Sequence, residues 1–123
     1  MSLPIYESAE DYLGAILRIQ EKKGVAHSVD IAELKHYSKA SVSVAMKKLR
    51  ENGYISMDKN GELHLLPPGL EIAERIYERH QFLTRLLVSI GVDEETAEED
   101  ACKLEHDLSE VSFAKLKEAF KDI

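Results

Sequence analysis

The feature that most restricts the fold is a change of period in the first half of the chain. From Ser38 the apolar residues Ala40, Val42, Val44, Ala45, Met46 and Leu49 run to Asn52-Gly53. Beyond that stop, Tyr54-Ile55-Ser56-Met57 and Leu63-His64-Leu65-Leu66 flank Asp58-Lys59-Asn60-Gly61-Glu62. Val42 and Val44 alternate as a strand would. Ala45, Met46 and Leu49 nevertheless restore the helical period, and Asn52-Gly53 is a helix stop with Lys47, Lys48 and Arg50 in the last turns, so the first segment is read as a helix. The second segment is read as a β-hairpin, because Asn60-Gly61 favours the backbone angles of a tight turn.

Upstream, Tyr12, Leu13, Ile16, Leu17 and Ile19 follow an acidic start at Glu7, Glu10 and Asp11, and Gly24 ends this first helix. Ser28 stands at an N-cap position before Val29, Ile31, Ala32 and Leu34, which predict a helix of about two turns. His36-Tyr37-Ser38 makes the turn into the next helix. Short helix, tight turn, second helix with exposed polar residues, then hairpin is the order of a winged helix-turn-helix, whose second helix enters the major groove of DNA. Ser38, Lys39, Ser41 and Ser43 lie near the start of that second helix, within reach of base edges and phosphates. Lys47 and Lys48 sit further along for the phosphate backbone, and Lys59 and Asn60 stand at the wing tip. Taken singly, Ser38 reads equally well as an N-cap and the lysines as a solvated face. The ordered combination is what points to double-stranded DNA.

Charge supports that placement. The chain carries a formal net charge of -7, but residues 27–62 hold six Lys and Arg against five Asp and Glu, a balance of +1 that leaves -8 for the remainder. A surface that meets a polyanion therefore belongs to the first half, and so weak a balance implies a dimer reading two half-sites. No apolar run approaches the roughly 18 residues of a membrane span, and no basic segment followed by an apolar one opens the chain. With a single cysteine among 123 residues, this predicts a cytoplasmic protein with no membrane partner.

After Pro67-Pro68-Gly69, the apolar positions Leu70, Ile72, Ala73, Ile76, Tyr77, Phe82, Leu83, Leu86, Leu87 and Ile90 predict a long helix running to Gly91 and carrying His80. Val92-Asp93-Glu94-Glu95 starts another, expected to continue through Ala97, Ala101, Leu104 and Leu108. Ser109 or Ser112 caps a last helix carrying Phe113, Leu116, Ala119 and Phe120. The expected fold class is mostly α with a small β-hairpin, a winged helix domain over residues 1–68 preceding a helical domain over 69–123.

Cys102, Glu105 and His106 stand at offsets 0, +3 and +4, one face of a helix, and offer a thiolate, a carboxylate and an imidazole at metal-ligand spacing. A small structural site usually needs four good ligands, and His80, Glu98 and Asp11 are further candidates. His27, His36 and His64 are read as surface residues. A nucleophilic Cys102 with His106 as its base is the catalytic reading of the same pair. No nucleophile loop, Gly-rich oxyanion hole or substrate cleft accompanies it, so neither an enzyme nor a small organic substrate is expected. Two non-catalytic functions also fit these residues without a metal: a thiol-based redox-sensing repressor that responds through Cys102, and a helical dimerisation adaptor.

Glu10-Asp11-Tyr12-Leu13, the segment from Ser38 to Tyr54, Arg79-His80 and above all Asp100-Ala101-Cys102-Lys103-Leu104-Glu105-His106 resemble the diphtheria toxin repressor and manganese transport regulator family. The resemblance spans nearly the whole chain. It implies a metal-activated transcriptional repressor that binds operator DNA as a homodimer, with a winged helix domain followed by a helical metal-binding and dimerisation domain. It further implies metal-ligand positions at Asp11, His80, Cys102, Glu105 and His106, an ancillary one at Glu98, and a recognition helix over residues 38–50. The implied cofactor is iron(II) or manganese(II), with cobalt(II) and nickel(II) as substitutes in vitro. Asp11 resembles the manganese-sensing branch and Cys102 the iron-sensing branch. Gly14 stands where manganese sensors carry a glutamate, and Thr84 where iron sensors carry a carboxylate. The SH3-like third domain of longer iron-sensing members is expected to be absent.

Overall fold

The computed structural model describes residues 7–123, so the expectation concerning a leader lies outside the described residues. The elements in order are α1 (Glu7–Lys23), α2 (Ser28–Lys35), α3 (Lys39–Glu51), β1 (Ile55–Met57), β2 (Leu63–Leu65), α4 (Pro67–Ser89), α5 (Glu94–Leu104) and α6 (Glu110–Ala119). Among the described residues, no helix is long and apolar enough to cross a membrane. The chain divides into two compact units after Arg75, a residue inside α4.

In the first unit α1 packs on α2, α3 and β2, while α3 packs on α2 and β1. Leu13, Ile16, Ile31, Val42, Met46, Ile55 and Leu63 are buried completely or nearly so and form the centre of this unit. The ambiguous valines resolve as a helix: Val42, Met46 and Leu49 face inward at helical spacing, whereas Val44 is 56% exposed. Ser38 caps α3 by accepting a hydrogen bond from the Ser41 N–H at 3.1 Å. Gly53, at φ 78°, follows the helix end.

The cap of α2 differs from the sequence reading. His27, not Ser28, is the N-cap, and its N–H donates to the Asp30 carboxylate at 2.9 Å. The carboxylate at the third helical position thus takes the N-cap residue's own N–H, the reciprocal half of a capping box, and Lys23 holds it at 2.7 Å. The Lys23 ammonium and the His27 N–H together keep the Asp30 carboxyl below its ordinary range.

The hairpin pairs Ile55 with Leu65, Ser56 with His64 and Met57 with Leu63, and Ala26 adds a bridge to Leu63. Asp58 closes the loop. Its Oδ1 accepts from the N–H groups of Asn60 and Glu62 at 2.8 and 3.0 Å, and Gly61 takes φ 80°.

Pro67-Pro68-Gly69, after which the sequence predicts the long helix to begin, instead forms the first turn of α4. Proline at a helix start forfeits no intrahelical bond. Gly69 is needed there for space, since a Cβ would collide with the Tyr54 carbonyl oxygen, which itself accepts from the Leu66 N–H at 3.0 Å.

In the second unit Phe82, Leu83, Ala101 and Phe113 form a cluster against which Leu86, Leu108 and Leu116 pack. Phe82 and Phe113 meet edge to face with centroids 5.6 Å apart. Asp93 caps α5 and Ser109 caps α6, each accepting from the N–H three residues on. Gly69→Ala is expected to lower stability by about 1–3 kcal/mol through overpacking against a main-chain oxygen. A denaturant melt identical to that of the unaltered chain would contradict this account of the α4 start.

Candidate metal centre

Arg79 and His80 are consecutive on α4, and both are buried. Arg79 Nη1 donates to the carbonyl oxygens of Glu105 and Leu108 at 3.2 and 2.5 Å. Both carbonyls lie beyond the end of α5, where no helical N–H is available to them. The guanidinium also stands 5.0 Å from the centre of the Phe113 ring.

This anchoring changes the expected geometry of the ligand triplet. The sequence predicted that α5 would run on to Leu108, but it ends at Leu104 with Glu105 as C-cap. Ser109 caps the next helix, so the chain must reverse between the two, and Arg79 satisfies the carbonyls that the reversal frees. Glu105 keeps helical angles, φ -60° and ψ -23°, and so stays on the Cys102 face, whereas His106 belongs to the turn.

Three candidate ligands come together on this frame. His80 Nδ1 lies 3.0 Å from Glu105 Oε2 and 3.7 Å from Cys102 Sγ, and one ligand atom from each residue falls within 4.8 Å of the others. Atoms bonded to one ion at roughly 2.0–2.3 Å stand about 3–4 Å from each other, so the His80–Glu105 and His80–Cys102 separations fit a shared ion. The nitrogen, sulfur and oxygen set suits a borderline transition metal better than magnesium or calcium. His80 and Glu105 are only 5% and 3% exposed, and burying an imidazole beside a carboxylate excludes water that would weaken either as a ligand.

The remaining candidates stand as follows. His106 is almost fully enclosed and places Nε2 3.5 Å from Glu105 Oε1. Glu98 lies on α5 one turn before Cys102, partly buried, and is not among the groups whose ligand atoms gather within 4.8 Å among the described residues. Asp11 belongs to the first unit and is buried there, with Lys35 Nζ on Oδ1 at 2.6 Å and the Tyr37 hydroxyl donating to Oδ2 at 2.9 Å. Thr84 uses its hydroxyl on its own helix, donating to the His80 carbonyl at 2.7 Å. Gly14 is buried in α1.

On the candidate DNA face, Lys39, Ser41, Ser43, Lys47 and Lys48 are exposed on α3, and Lys59 is exposed at the hairpin tip. The Ser38 hydroxyl is engaged locally, accepting from Ser41 N–H and donating to Ser41 Oγ at 2.8 Å. His36 and His64 are exposed and His27 is partly so. His64 pairs with Asp58 at 3.0 Å and holds that carboxyl below its usual range. Lys35 and Tyr37 were missed as neighbours of a candidate ligand. Nothing in their spacing from Asp11 signals contact, since they meet it only through the packing of α1 on α2.

Arg79→Met leaves two carbonyls without their charged donor. Stability is expected to fall by about 1.5–3 kcal/mol in a urea melt, with weaker manganese(II) binding because Glu105 loses its anchor. Unchanged stability would contradict the anchoring role.

Residues 5–63 match the family described as "Iron dependent repressor, N-terminal DNA binding domain", and residues 67–123 match "Iron dependent repressor, metal binding and dimerisation domain". An uncharacterised HTH-type transcriptional regulator of Methanocaldococcus jannaschii is 37% identical over 121 residues, covering 94% of this chain and 97% of that protein. The HTH-type transcriptional regulator MntR of Bacillus pumilus is 39% identical over 102 residues, covering 83% of this chain and 71% of that protein. Among solved structures, a manganese-dependent transcriptional repressor in complex with manganese superposes with a TM-score of 0.80 at 27% identity, covering 90% of this chain and 51% of that one. The chain thus spans about half the length of that solved relative. A DNA-binding domain followed by a divalent metal-binding and dimerisation domain, together with these identities, settles the assignment: the chain belongs to the iron-dependent repressor family of metal-dependent, DNA-binding transcriptional regulators.

Proposed function

We propose that this protein represses transcription by binding double-stranded operator DNA as a homodimer when iron(II) or manganese(II) is bound. Residues 1–68 are the DNA-reading domain and 69–123 the metal-binding and dimerisation domain. His80, Cys102 and Glu105 are the central ligands, and His106, Glu98 and, by resemblance, Asp11 are the further ligand candidates. The single observation that carries this reading is the gathering of His80, Cys102 and Glu105 within 4.8 Å in a chain whose other half matches a DNA-binding domain.

When bound, the ion supplies positive charge and fixed directions to its ligands. The chain's own residues do the rest. Arg79 holds the Glu105 main chain, and so keeps the Glu105 carboxylate beside the His80 ring. Lys39, Ser41, Ser43, Lys47 and Lys48 meet the major groove and its phosphates, Ser38 sets the start of that helix, and Lys59 reaches a flanking phosphate. Switching DNA binding nearly completely requires the metal to favour the operator-competent state by about 10⁴-fold, roughly 5.5 kcal/mol. Sulfur at Cys102 favours iron(II), and Asp11, by resemblance, favours manganese(II). The protein acts in the cytoplasm, where its DNA is.

Fluorescence anisotropy with promoter duplex, first with chelator and then with each metal, tests the reading. Affinity should rise with iron(II), manganese(II), cobalt(II) or nickel(II), and affinity independent of metal would overturn it. Peroxide-sensitive binding by metal-stripped protein would instead support a thiol-based switch. Lys47→Ala should weaken binding to all duplexes alike and reduce the salt slope by about one. An unchanged slope would remove Lys47 from the phosphate contacts.

A further inference from the structure

Asp11 is engaged in a way that its candidate role does not require. Its carboxylate holds the Lys35 ammonium at 2.6 Å, and both side chains are nearly enclosed, 9% and 10% exposed. The Tyr37 hydroxyl donates to the other carboxylate oxygen at 2.9 Å. Lys35 is the last residue of α2, and Tyr37 stands just before the N-cap of α3. Between them His36 takes the left-handed conformation at φ 59°. Tyr37 is also held edge to face against Tyr12, with centroids 5.6 Å apart. The ammonium is thus part of a packed arrangement and not a mobile surface charge.

A cation-binding carboxylate that is already paired with a buried cation presents a conflict of charges. An ammonium and a divalent ion on one shielded carboxylate repel each other at close range, with little water to screen them. We propose that Lys35 is a built-in competitor for the metal at Asp11: its ammonium neutralises the carboxylate in the metal-free chain, and an ion must displace it to bind. Lys35 therefore sets the metal concentration at which the regulator responds. This rests on the proposed role of Asp11 as a ligand. A purely structural role predicts the opposite sign, because a lysine that only orients Asp11 would aid metal binding.

Isothermal titration with manganese(II) of the unaltered protein, Lys35→Met, Lys35→Arg and Asp11→Asn separates these outcomes. Removing the competitor should lower the manganese(II) dissociation constant roughly tenfold, while Lys35→Arg, which keeps a cation in place, stays near the unaltered value. A dissociation constant for Lys35→Met equal to or weaker than the unaltered one, with Asp11→Asn weakened, would overturn the competitor role and leave the ligand assignment standing. Asp11→Asn binding as tightly as the unaltered protein would instead overturn the ligand assignment, and the proposal with it. A second readout needs no variant. Mass spectrometry after brief reductive methylation should find Lys35 protected without metal and modified at least several-fold faster with saturating manganese(II). Equal modification in the two states would refute displacement.

Discussion

The closure of the Arg79 guanidinium on the carbonyls of Glu105 and Leu108 is the contact on which the second unit depends. It lets α5 stop at Leu104, turns the chain toward the Ser109 cap of α6, and leaves Glu105 on the face that Cys102 occupies. His80 follows Arg79 directly on α4, so the residue that fixes the turn also fixes where the imidazole meets the turn's carboxylate. Phe113 on α6 packs both against Phe82 and under the Arg79 guanidinium, and this ties the apolar cluster to the polar one. The two carbonyls engage Nη1 of this buried guanidinium at the place where a helix end frees them, while its Nε is buried without a hydrogen-bond partner among the described residues.

Much of this was legible in the sequence, and the exceptions share a cause. Helix α3 and the hairpin follow from period and turn chemistry, which are local. The gathering of Cys102 and Glu105 follows from helical spacing, which is also local. The end of α5 was missed because it is decided by Arg79, more than twenty residues away in sequence. The cap of α2 falls one residue earlier than the serine suggests, at His27, whose N–H is taken by Asp30, itself held by Lys23. The sequence predicts a helix that starts only after Pro67-Pro68-Gly69, because proline and glycine usually interrupt helices. Here proline opens one and glycine relieves a clash with Tyr54. Lys35 and Tyr37 reach Asp11 through the packing of α1 on α2, for which no spacing rule exists.

The candidate ligands and the candidate DNA face differ in how much the fold commits them. Those on α3 project into solvent and are free to meet a polyanion, as their modest charge balance requires. His80 and Glu105 are enclosed and held within hydrogen-bond distance, so their side chains are positioned before any ion arrives, and an ion that takes both atoms must replace the hydrogen they share. Asp11 is enclosed as well, but its pairing with Lys35 opposes a second cation. The proposed receptor would thus combine central ligands already held in place with one carboxylate that sets a threshold.

The central claim is that Cys102 and its neighbours hold a transition metal ion. Because Cys102 is the one cysteine of the chain, the absorption spectrum of the cobalt(II)-loaded protein tests it directly. The account predicts an intense near-ultraviolet thiolate-to-cobalt band that disappears in Cys102→Ser. A spectrum without that band, identical in the unaltered protein and the serine variant, would contradict it.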